Sequence, residues 1–108
     1  MSDLPPEVDR KLADQASKDL AQRAALGMDV QNWLRSSIGR TVCERAEERR
    51  EGLVNQLITC ETRSEAGRAR NAQLRFEIAV VDFWQNELAS LVGEGQIAER
   101  ELTAYLEA

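Results

Sequence analysis

The sequence contains no histidine, and that absence removes much of the common catalytic apparatus. Without imidazole there is no Ser–His–Asp triad, no side chain whose ordinary pKa lies near neutrality, and no Cys–His zinc pattern. Cysteine is nearly as scarce. Cys43 and Cys60 are the only two, and because the N-terminal "MSDLPPEVDR" lacks the basic and apolar regions of a signal peptide, both are expected to be free thiols. No apolar run approaches the ~20 residues of a membrane span. A soluble cytoplasmic protein with no membrane role is the expectation. Glycine-rich phosphate loops and nucleophile elbows are also missing. Glu44, Glu47, Glu48 and Glu51 share a charged stretch, but the Glu-x-x-His pairs that mark di-iron bundles are absent. The expectation is therefore a protein that is not an enzyme, with no cofactor, no metal and no small-molecule substrate.

Helix formers and charge are what the chain does have. Hydrophobic residues make up 43% of its 108 residues, a value that permits one helical domain over 1–108. Fourteen of the hydrophobic residues are alanine, which favours close helix packing over a thick core. The pair Pro5–Pro6 suits a first helical turn, where no backbone donor is needed, with Asp3 beside it as a cap. Val8, Leu12, Ala16, Leu20 and Ala24 then recur every four residues. These signals predict an N-terminal helix over about 5–26, closed by a left-handed cap at Gly27.

From 30 to 59 the apolar positions fit a helical stripe, with Val30, Trp33, Leu34, Ile38, Val42, Ala46, Leu53 and Leu57 among them. Within this arm "CERAEERREG" is nearly all charge. Arg40 with Glu44 and Arg45 with Glu48 lie one turn apart, as self-paired, solvated residues would. Gly39 and Gly52 are candidate kinks or close contacts, because each costs up to ~1 kcal/mol in a helix interior. The stripe is lost at "CETRSEAG", where Thr62 and Glu65 have the spacing of a capping box. The chain should turn there.

A further helix over about 63–92 then carries a seam of Leu74, Ile78, Val81, Trp84 or Gln85, and Leu88. Phe76, Val80 and Phe83 form a second stripe beside it, which the spacing assigns to packing. "GEG" at 93–95 should end this helix, leaving a short one over about 96–107. The expected fold is all-α, a long antiparallel hairpin with one helix before it and one after. Arms of ~45 Å exceed the ~26 Å diameter of a compact domain of this size, so apolar surface should remain for oligomerisation or docking.

Charge is uneven along the chain. Residues 61–76 carry Arg63, Arg68, Arg70 and Arg75 against two acids, while residues 77–108 carry seven acids against Arg100 alone. Four arginines beside a helix N-terminus do not complement its dipole. They are candidate partner-binding residues for an acidic segment or a phosphate, unless Glu61, Glu65, Glu77 and the acidic C-terminal third pair with them inside the protein or across an oligomer interface. Trp84 is the candidate interface anchor. A protein partner is expected, either another copy or a phage or host protein. Nucleic acid is the lesser alternative, because net charge is −5.

Two stretches carry resemblances. "LPPEVDRKLADQA" followed by "LGMDVQNWLRSSI" resembles the helical part of ribbon-helix-helix repressors, in which a DNA-reading strand lies just upstream. Only Met1, Ser2 and Asp3 stand there in this sequence. The second resemblance runs from "ERAEERREGLVNQLI" through "LRFEIAVVDFWQNELASLVGEGQIAEREL". It is similar to small helical proteins of unassigned role encoded among the head and packaging genes of tailed bacteriophages. The long apolar stripes and the missing catalytic residues point to a non-catalytic assembly protein; the resemblance implies a phage origin, in the host cytoplasm or virion, and carries no site residues with it. An inhibitor of a basic host protein, acting through the acidic C-terminal third, is the alternative within the same setting.

Overall fold

A computed structural model describes residues 5–107, and all three elements in it are helices: α1 (Pro6–Arg35), α2 (Ser37–Thr59) and α3 (Glu65–Glu107). The all-α class and the helical hairpin are as expected. Three boundaries differ, and the capping residue expected at Asp3 lies outside the described residues. α1 does not stop at Gly27 but runs on to Arg35, and no glycine among the described residues has a positive φ. The hairpin's first arm is therefore 37–59, not 30–59. The second arm does not end at 92 either, because α3 continues through Gly93 and Gly95, and 96–107 is its last part.

The chain divides into two compact units, Met1–Asn32 with Ser90–Ala108, and Trp33–Ala89. In the first, the less exposed positions of α1 are Ala13, Ser17, Leu20, Ala24, Gly27 and Gln31, with Val30 beside the last of them. Their 4-3-4-3-4 spacing is the heptad pattern of supercoiling helices. It replaces the expected stripe, of which Ala16 and Leu12 are exposed, because a strict step of four drifts ~40° around a helix with each repeat. The close approach explains Gly27. A methyl group there would stand 2.7 Å from the Gly95 Cα and 2.9 Å from the Leu91 carbonyl oxygen. Both glycines are buried, so contact between helices holds them within helical backbone that glycine alone would weaken.

The second unit contains the hairpin. Ser36 divides α1 from α2: its hydroxyl accepts from the Gly39 N–H at 3.0 Å and donates to the Trp33 carbonyl, which is N-cap chemistry. A side chain at Gly39 would collide with that same carbonyl. Along α2 the inward positions are Gly39, Cys43, Ala46, Arg50, Leu53 and Leu57, again at heptad spacing. On α3 they are Gly67, Asn71, Leu74, Ile78, Val81, Gln85 and Leu88, flanked by half-buried Glu77 and Asp82, so Gln85 and not Trp84 occupies the seam.

Polar contacts between the arms fix the register. Glu47 pairs with Gln85, Arg50 with Asp82, Gln56 with Arg70 and Cys60 with Gly67. Partners on α3 fall as numbers on α2 rise, which defines antiparallel arms. The Arg50 Nε–Asp82 Oδ1 distance is 2.6 Å, with Nη2–Oδ2 at 3.4 Å. The within-helix pairs expected for Arg40–Glu44 and Arg45–Glu48 are not among the ion pairs of the described residues. Arg49 and Arg50 instead reach across to Glu77 and Asp82.

Among the described residues the buried hydrophobic side chains are Leu53, Leu74 and Ala98. Against these stand many large apolar side chains left open, with Phe76 69% exposed, Phe83 58% and Trp84 62%. The stripe assigned to packing is uncovered within this chain. A period of 3.6 shows that a helix has an apolar face, but not whether the same chain supplies the cover.

Candidate functional site

The turn at 60–64 is built around Glu61. Its carboxylate accepts from the N–H of Arg63 at 2.8 Å and of Ser64 at 3.0 Å, and from the Ser64 hydroxyl. Ser64, not Thr62, caps α3, accepting from the Gly67 N–H at 3.0 Å. The Ser64 hydroxyl above all, then the two backbone donors, holds the Glu61 carboxyl below the usual glutamate pKa. One intramolecular carboxylate thus takes two backbone donors that lie just before the α3 N-terminus.

The four arginines lie around this turn without forming one patch. Arg68 donates to the carbonyls of Arg63 (3.0 Å) and Thr62 (3.3 Å), Arg70 to Gln56 Oε1 (2.8 Å), and Arg75 to Asn71 Oδ1 (2.9 Å). All four are exposed. Among the described residues none of the four guanidinium groups forms an ion pair, so the internal pairing weighed with Glu61, Glu65 and Glu77 is not seen; Glu77 lies 3.7 Å from Arg49 instead. At ~100° per residue, Arg68 and Arg75 share one side of α3 while Arg70 points ~140–160° away from both. Cys60 closes α2 with its Sγ 3.4 Å from the Gly67 carbonyl oxygen. Cys43 and Cys60 are both free thiols. No group of three or more Cys, Asp or Glu residues among those described is placed to hold a metal ion, and no described helix is long and apolar enough to cross a membrane.

Trp84 belongs to a different feature. Its ring meets Phe83 edge to face, centroids 5.7 Å apart, and its other side borders a cleft of 260 Å³ between α2 and α3. Val42, Cys43 and Ala46 form one wall, and Val80, Val81, Trp84 and Leu88 the other. The cause is local. α2 brings only Gly39, Cys43 and Ala46 to its seam in this half of the hairpin, too little side chain to fill the space beside Val81 and Leu88. Ile38 and Val42 border a shallower hollow alongside, and Ile38 is 68% exposed. The sequence reading singled out Trp84, which is exposed here, and missed the cleft, although small residues at 39, 43 and 46, in step with a heptad, were its signal.

No protein-family model, curated protein or solved structure matches the chain, so its function has to be argued from its own side chains.

Proposed function

We propose that this chain is a non-catalytic helical assembly protein that works through the open apolar face of its α2–α3 hairpin, by self-association or by docking on a protein partner. One observation carries the reading: Phe76, Val80, Phe83 and Trp84 stand exposed along one broad side of α3, with Val80 and Trp84 lining an apolar cleft. Uncovered apolar patches on small proteins mark interaction sites, and aromatic side chains supply most interface anchors. The resemblance to small helical proteins encoded among phage head and packaging genes supports virion morphogenesis, in the host cytoplasm or the particle, as the setting of this role. The Arg63, Arg68, Arg70 and Arg75 group has no comparable support, because the helix splits it and Glu61 occupies the neighbouring donors.

Affinity capture from lysate of infected cells tests the proposal when run beside a Phe83→Glu/Trp84→Glu variant. Virion or packaging proteins retained by the parent and lost with the variant are the expected result. A catalogue that the two substitutions leave unchanged contradicts the reading.

A further inference from the structure

We infer that the partner of this face is a second copy of the same chain, hairpin on hairpin about a two-fold axis, with Val42, Val80 and Trp84 at its centre. The inference rests on the interaction role proposed above and names the occupant.

Area is the first argument. Three aromatic rings more than half exposed present roughly 350 Å² of apolar surface, and Ile38, Val42 and Val80, at 68%, 48% and 40% exposure, add to it. One side of a standard interface buries about 800 Å², of which about 60% is apolar. The face therefore supplies about what one protomer must contribute.

Charge is the second argument, and it selects the kind of partner. Arg49 lies on the cleft wall, and Arg45 follows Val42 on the same side of α2. Glu77 is held loosely by Arg49 at 3.7 Å, with the Arg49 side chain 64% exposed, and Glu87 lies one turn beyond Phe83 and Trp84. Beside the cleft the bases Arg45 and Arg49 are on α2 and the acids Glu77 and Glu87 on α3; nearer the turn Arg70, one heptad before Glu77, adds a base on the α3 side that is held by Gln56. A strongly basic or acidic partner would find no matching field here. A two-fold that lays α2 of one copy along α3 of the other opposes unlike charges at both rims, as an isologous contact requires. Two antiparallel hairpins joined in this way form a four-helix arrangement, and each covers the other's unfilled seam.

Sedimentation equilibrium of the full chain, from micromolar concentrations upward, is the test, with circular dichroism of every variant. The parent should form a reversible dimer. Phe83→Glu and Trp84→Glu should each raise the dissociation constant about tenfold or more with helix content unchanged. Ile58→Glu is the control: Ile58 is 76% exposed but lies ~160° around α2 from Val42, so the dimer should survive. If Trp84→Glu loses helix content, Phe83→Glu, whose ring lies outside the cleft, gives the same reading. A parent that stays monomeric throughout overturns the inference, and face-dependent capture of a different protein would then leave the broader proposal standing. A dimer indifferent to both face substitutions also overturns it, placing self-association elsewhere on the molecule.

Discussion

The two halves of the hairpin use one seam with opposite results. Near the turn, α2 offers Leu53 and Leu57, and the arms close so well that Leu74 is 1% exposed and Leu53 5%. Away from the turn, α2 offers Gly39, Cys43 and Ala46 at the same heptad positions, and a cleft opens with Trp84 at its edge. Backbone class and spacing are the same in both halves. Side-chain volume separates a sealed core from an open apolar cleft.

The largest expected effect comes from undoing the sealed half. Leu74→Ala should cost about 2–5 kcal/mol in urea unfolding, because it removes buried contacts and leaves a cavity. Val42→Ala, in the open half, should cost under ~1 kcal/mol at concentrations where the chain is monomeric. Equal costs would erase the contrast. Next come the glycines, which separate contact from mere presence. Gly27→Ala pushes a methyl group against Gly95 and Leu91 and should destabilise by about 1–3 kcal/mol. Gly52→Ala meets no atom within 4 Å and should stabilise by roughly 0.5–1 kcal/mol, the ordinary helix-propensity gain.

These glycines also show what could be read from the chain and what could not. The loss of the apolar stripe at 60–64 and the seam through Leu74, Ile78, Val81 and Leu88 are local signals, and the turn and the third helix followed from them. Gly27 is different. "ALGMD" is a sound C-cap by local rules, and the helix passes through it only because Gly95, far along the chain, approaches within van der Waals contact. The same reasoning covers "GEG", where packing offsets two unfavourable residues. At Ser36 the true break carried a signal of its own, a serine three residues before a glycine, which the apolar run on either side obscured. Phe76, Val80 and Phe83 mark a limit of another kind: their periodicity located an apolar face but assigned it to packing, whereas among the described residues it stands exposed. Likewise the arginines were adjacent in sequence and were dispersed by helical rotation.

The smallest effect belongs to the turn that closes the sealed half. Glu61 has a folded-state pKa below its ordinary value, so its carboxylate stabilises the fold at neutral and mildly acidic pH. That contribution is lost as pH falls through the depressed folded pKa. Thermal midpoints of the parent and of Glu61→Gln should therefore differ by a small, constant amount above the usual glutamate range and converge in stronger acid. A gap that persists at low pH would mean that the carboxylate's charge is not what orders the turn.

The account as a whole depends on the open half being covered in solution, and the two thiols report on that directly. Cys43 lines the cleft and Cys60 closes α2 at the turn, so alkylation rates measured over a rising protein concentration compare the two halves within one molecule. The account predicts that the Cys43 rate falls as protein concentration rises while the Cys60 rate stays level. A Cys43 rate independent of concentration, up to the highest attainable, would contradict it.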